Sequence, residues 1–142
     1  MIFNWFHEKK RKIGYEDILY ILKYPDQYIL INTLGTQDQS CLIKNTLSIE
    51  NEISLLNKHV EQGNYKIQII IYGLNNCDES VEKKYKQLNN LGFMNIHIYL
   101  GGMFEWLMLQ DIYGVNEFPT TTKTNDLLKY RPKGIFHIPL IR

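Results

Sequence analysis

Three compact apolar runs, "YILINT" at 28–33, "KIQIIIY" at 66–72 and "NIHIYL" at 95–100, set the strongest limit on how this chain folds. Each is short, rich in β-branched or aromatic residues and apolar at successive positions, so both faces of the strand it forms must be covered. Segments with helical periodicity lie around them. "YEDILYILKYPDQ" places Ile18, Leu19, Ile21 and Leu22 on one short face and stops at Pro25, which cannot continue a helix. "SIENEISLLNKHVEQG" aligns Ile49, Ile53, Leu56 and Val60 in a stripe, with Ser48 as N-cap and Gly63 as the stop. "DESVEKKYKQLNNLG" repeats the pattern through Val81, Tyr85, Leu88 and Leu91 and closes at Gly92. After the third run come Gly101, Gly102 and the apolar helix "MFEWLMLQDIYG". Strands alternating with helices define an α/β class: a single domain with a parallel sheet covered by helices on both faces. A chain of 142 residues, 44% hydrophobic, suffices for one ordinary core and is too short for two.

Charge names no partner. The 16 basic and 15 acidic side chains are interspersed and leave a formal net charge of +1, so no basic face recommends nucleic acid or an anionic membrane. The opening "MIFNWFHEKKRK" carries its basic residues after a very short apolar run, the wrong order for a signal peptide, and no apolar run reaches the length of a membrane span. A soluble, cytoplasmic or otherwise intracellular protein is expected. Cys41 and Cys77 are too few for a disulfide scaffold and lack zinc-ligand spacing, so reduced thiols are the default. His7, His59, His97 and His137 share no ligand spacing, and neither a metal nor a cofactor is expected. The abundance of Ile, Asn, Lys and Tyr suggests an AT-rich genome.

In a parallel sheet, ligands bind where strands run into loops that lead to helix N-termini. The loop "GLNNCDES", Gly73, Leu74, Asn75, Asn76, Cys77, Asp78, Glu79 and Ser80, lies at such a place. Asn76 with Glu79 three residues on reads as a capping box, which would put Cys77 in the first turn of the helix. Unpaired N–H groups and the helix dipole there favour a thiolate, while the charges of Asp78 and Glu79 oppose it. Cys77 is the one credible nucleophile; its plainer reading is a small polarisable residue in a tolerant loop. Cys41, in "QDQSCLIKN", reads as an ordinary buried residue, with a resolving thiol as the alternative. Gly101 and Gly102 suit a tight strand-to-helix turn and could also line a pocket. Trp106 reads as core, His97 as a half-buried strand position, and Lys83 and Lys84 as a solvated face.

The order of these parts resembles the rhodanese domain, in which a strand, a catalytic-cysteine loop and a helix are followed by Gly-Phe, a strand, Gly-Gly and a Trp. Gly92 and Phe93, then Gly101, Gly102 and Trp106, match that pattern. The resemblance covers 13–114 as the domain, with an N-terminal extension at 1–12 and a C-terminal extension at 115–142. It extends to proteins of large DNA viruses with AT-rich genomes. The family's nucleophile directly follows the apolar strand, where this chain has Gly73. Its loop commonly has a basic residue, and "GLNNCDES" has none. Related phosphatases need a cysteine five residues before an arginine in that loop, and neither is in register here, so phosphatase activity is not expected. The acid and arginine common at the end of the family's first long strand are replaced by Asn32 and Leu34. The resemblance therefore implies a module that binds a protein or ligand without ordinary thiosulfate sulfurtransferase activity. Two alternatives are a sulfurtransferase or redox enzyme with Cys77 as a displaced persulfide carrier, and a structural or packaging component. The apolar tail, Ile135, Phe136, Ile138, Leu140 and Ile141 broken by Pro139, is expected to pack on the domain with Ile2, Phe3, Trp5 and Phe6, or to dock a protein partner through the termini.

Overall fold

The computed structural model of the protein describes residues 11–136. The readings placed on Ile2, Phe3, Trp5, Phe6 and His7, and on His137, Ile138, Pro139, Leu140 and Ile141, lie outside them. Four strands, β1 (Arg11–Ile13), β2 (Tyr28–Asn32), β3 (Gln68–Tyr72) and β4 (Asn95–Tyr99), form one sheet in the order β1-β4-β3-β2. Every pairing is parallel. The three connections are therefore crossovers, supplied by α1 (Tyr15–Ile21), α2 (Ile49–Glu61) and α3 (Glu79–Asn90), and a fourth helix, α4 (Gly102–Tyr113), follows β4. This is the α/β architecture that the alternation predicts.

Register sends alternate residues to opposite faces. Ile31, Ile71 and Ile98 are partners across β2, β3 and β4, and with Ile69 and Ile96 they pack under Leu56 of α2 and Val81 and Leu88 of α3. On the other face Leu30, Ile70, Tyr72 and Tyr99 meet Ile18 and Ile21 of α1 and Met103, Trp106 and Leu107 of α4. Trp106 is fully buried, edge-on to Phe118 at 5.1 Å, and its indole N–H donates to the Pro119 carbonyl at 3.1 Å. The bond satisfies the one polar group of this core anchor. Gly63 (φ +70°) and Gly92 (φ +108°) close α2 and α3 in the left-handed region where a Cβ is unfavourable.

The domain contacts cross both expected boundaries. Arg11 and Lys12 pair with His97 and Ile98 in the sheet, ahead of Ile13. Beyond Gly114, Phe118 and Tyr130 enter the core, and the 119–121 segment is stitched to 42–44 by Lys44 N–H to Pro119 O and Thr121 N–H to Leu42 O. Ile135 and Phe136 are exposed. Lys84, read as solvated, instead donates to the buried Glu52 at 2.6 Å and ties α3 to α2, because an acid on the covered side of α2 needs a cation within reach. No described helix is long and apolar enough to cross a membrane.

Candidate functional site

β3 ends at Tyr72, and the loop from Gly73 to Ser80 emerges at the carboxyl edge of the sheet between Thr33, which follows β2, and the start of α4. Gly73 is buried, and the space beside it is full. A Cβ there would stand 2.5 Å from Asp78 Oδ2, 2.6 Å from Val81 Cγ2 and 2.9 Å from Thr33 Oγ1.

Asp78 organises this corner. It is the N-cap of α3, so the expectation of Asn76 as cap is corrected. Its Oδ1 accepts from the Ser80 N–H at 3.0 Å and the Ser80 hydroxyl at 2.6 Å, and its Oδ2 accepts from the Leu74 N–H at 2.9 Å. A carboxylate is the stronger acceptor at the positive end of a helix, and it outcompetes the neutral amide two residues earlier. The Ser80 hydroxyl also lies 2.8 Å from Thr33 Oγ1, linking the end of β2 to the start of α3. Cys77 consequently precedes the cap and is not in the first helical turn. Its thiol is exposed, and its Sγ donates to Asn76 Oδ1 at 3.5 Å. The N–H groups of Leu74 and Ser80 are both given to Asp78.

The loop is also held from behind. The Asn75 side chain is buried, accepts from the Cys77 N–H at 2.9 Å and donates to the Tyr130 carbonyl at 2.8 Å, so the late segment of the chain clamps the loop. The carbonyls of Gly73 and Leu74 accept from the N–H groups of Met103 and Phe104, both at 2.9 Å, at the start of α4. Gly102 makes that approach possible: at φ +66°, a Cβ would lie 2.6 Å from the Gly73 carbonyl oxygen. At Gly101 a Cβ would meet the Glu105 carboxylate, which accepts from the Tyr99 hydroxyl at 2.6 Å. Burial, and then that hydrogen bond, push the Tyr99 hydroxyl well above its usual pKa.

The other candidates are apart from this network or structural within it. Cys41 is buried as an ordinary core residue and donates to the Thr122 carbonyl at 3.3 Å. Asn32 is buried in an amide pair, its Oδ1 accepting from the Leu34 N–H at 3.0 Å and from Gln39 Nε2 at 2.8 Å. The Tyr72 hydroxyl accepts from the Ile43 N–H at 3.1 Å and lies 2.7 Å from Thr46 Oγ1; burial raises its pKa. His97 is half-buried in β4, and burial, with the Arg11 charge second, lowers its pKa. No three His, Cys, Asp or Glu side chains converge as metal ligands among the described residues. The roles of Thr33 and Tyr130 lacked a sequence signal, whereas that of Asp78 had one: Asp is as good an N-cap as Asn.

Solved structures that share this fold include rhodanese-like domains. The solution structure of the rhodanese-like domain of the Alr3790 protein from Anabaena sp. superposes with a TM-score of 0.57 at 15% identity, covering 94% of this chain and 93% of that one. The BH2092 protein from Bacillus halodurans gives a TM-score of 0.57 at 17% identity over 74% of this chain and 77% of that one. A thiosulfate sulfurtransferase from Pseudomonas aeruginosa gives 0.54 at 13% identity over 70% of this chain, but only 19% of its own. No protein-family model and no curated protein matches the sequence. The chain has the rhodanese-like fold.

Proposed function

We propose that the protein is a rhodanese-like module that binds a protein or ligand and lacks ordinary thiosulfate sulfurtransferase activity. The observation that carries this reading is the pair Gly73 and Asp78. The first position of the loop has no side chain, and the Asp78 carboxylate occupies the space one would need. An incoming thiosulfate or persulfide would meet a fixed negative charge that already holds the Leu74 and Ser80 N–H groups. The loop is an anion cradle with its anion built in.

A second reading is favoured by the exposure of Cys77. In that reaction the Cys77 thiolate attacks the outer sulfur of thiosulfate, a sulfur–sulfur bond forms on the enzyme, and the bond in thiosulfate breaks with sulfite leaving. Intact mass of the reduced protein after incubation with thiosulfate, alongside Cys77→Ser and Cys41→Ser, separates the readings. The module reading expects no sulfur adduct under conditions that modify an active rhodanese. An adduct lost only in Cys77→Ser would overturn it.

A further inference from the structure

The stripe Ile49, Ile53, Leu56 and Val60 is only partly covered by the fold. Leu56 is buried, but Ile53 remains 70% exposed, and Leu91 at the far end of α3 is 43% exposed. Both belong to the wall of a groove of about 620 Å³ between α2 and α3, whose floor includes Leu56 and Leu88. The groove adjoins the corner of the cysteine loop through Thr33 and Ser80, while Cys77 and Asp78 lie outside its lining. Its size lies within the range of ligand-binding clefts, about 300–1,000 Å³. Its long sides are two helices that both carry the chain back across one face of a parallel sheet. A helix laid over the seam between them would rest on both by ordinary ridge-and-groove packing.

The charges in the groove restrict the occupant. Lys84 is neutralised by Glu52 at 2.6 Å, while Lys83 makes no ion pair among the described residues. The lining therefore carries one uncompensated positive charge beside an apolar floor. We propose that this groove receives an amphipathic helix of a protein partner, bearing an acidic residue beside its apolar face to meet Lys83. This deepens the binding-module reading and rests on it.

The test is a selection of helical peptides from a phage-displayed library on the full chain, followed by affinity measurement and amide-resonance mapping. Ile53→Asp and Lys83→Glu alter exposed side chains, and thermal unfolding checks that each variant keeps its fold. The expected result is selected peptides with apolar residues at i, i+3 or i+4 and i+7 and a neighbouring Asp or Glu. They should shift resonances of groove residues and lose about tenfold or more in affinity against each variant, as interface anchors do. Failure to select peptides, selection without acidic preference, or shifts elsewhere would overturn the proposal. So would self-association lost in Ile53→Asp, which would make the occupant a second copy. Decanoate filling the groove where no peptide does would assign it to an amphiphile and equally overturn the helix. The adduct measurement at Cys77 is independent of both substitutions, so failure of the groove and failure of the module reading give different results.

Discussion

The Asp78 Oδ2 atom stands 2.5 Å from where a Cβ on Gly73 would be, so one residue holds the space in which the other would grow a side chain. The two positions are coupled, and the coupling governs any attempt to place a nucleophile after β3.

Gly73→Cys alone is expected to lower stability by about 1–3 kcal/mol, the usual cost of overpacking, and to gain no thiosulfate adduct. Combining it with Asp78→Ser clears the carboxylate while keeping a capping hydroxyl. The double variant should be more stable than Gly73→Cys in urea unfolding. Asp78→Ala alone should cost about 0.5–2 kcal/mol through the lost cap. Equal stability of the single cysteine variant and the wild type would show that the corner yields freely.

The Lys84–Glu52 pair predicts an asymmetry. Lys84→Met leaves a buried carboxylate without its cation and should destabilise by about 1–3 kcal/mol, less than a fully enclosed pair because Lys84 is partly exposed. Glu52→Gln with Lys84→Met removes both charges and should recover much of that loss. Chemical unfolding of the two variants measures the difference.

Truncation after Asp126 removes Tyr130, a fully buried ring whose carbonyl is the acceptor for Asn75. Stability should fall by about 3–5 kcal/mol, as for loss of other core aromatics, and Tyr130→Ala should fall in the same direction. Hydrogen exchange in the 73–80 loop should quicken in the truncated chain. Unchanged exchange would detach the loop from the clamp.

His97 gives the fold an acid sensitivity. Burial and Arg11 depress its pKa below the ordinary 6.5, while its hydrogen bond to the Ile69 backbone and the Asp17 charge oppose the shift. The unfolded chain therefore takes up its proton first as pH falls. The His97 contribution to stability is intact above pH 6.5 and declines below it until the folded-state pKa is passed. His97→Gln should flatten that part of the stability–pH curve, read by unfolding at pH steps from neutral downward.

The three long strands were legible as compact apolar runs, α1 to α3 by their helical spacing and α4 as an apolar stretch after a glycine pair, and β1 was not, because Arg11–Ile13 is three residues without an apolar run. Only pairing with β4 makes that segment a strand. The segment after Gly114 has no repeat either; Phe118 and Tyr130 are core residues by virtue of Trp106 and Asn75, which are distant in sequence. At the loop, Asn76 and Asp78 both satisfy capping rules, and the choice between them depends on Leu74 and Ser80 meeting one carboxylate in space. The α2 stripe shows a further limit. Periodicity identifies the face on which Ile53 lies, but the spacing of α2 from α3 decides how far that face is covered.

Gly102 separates two things that a sequence motif confounds. Its missing Cβ is required by the Gly73 carbonyl oxygen and by the turn into α4, whatever reaction the loop performs or omits. A glycine pair before the last helix thus reports that the backbone closes correctly and is silent about turnover. Activity in chains of this shape has to be diagnosed from what fills the corner after β3.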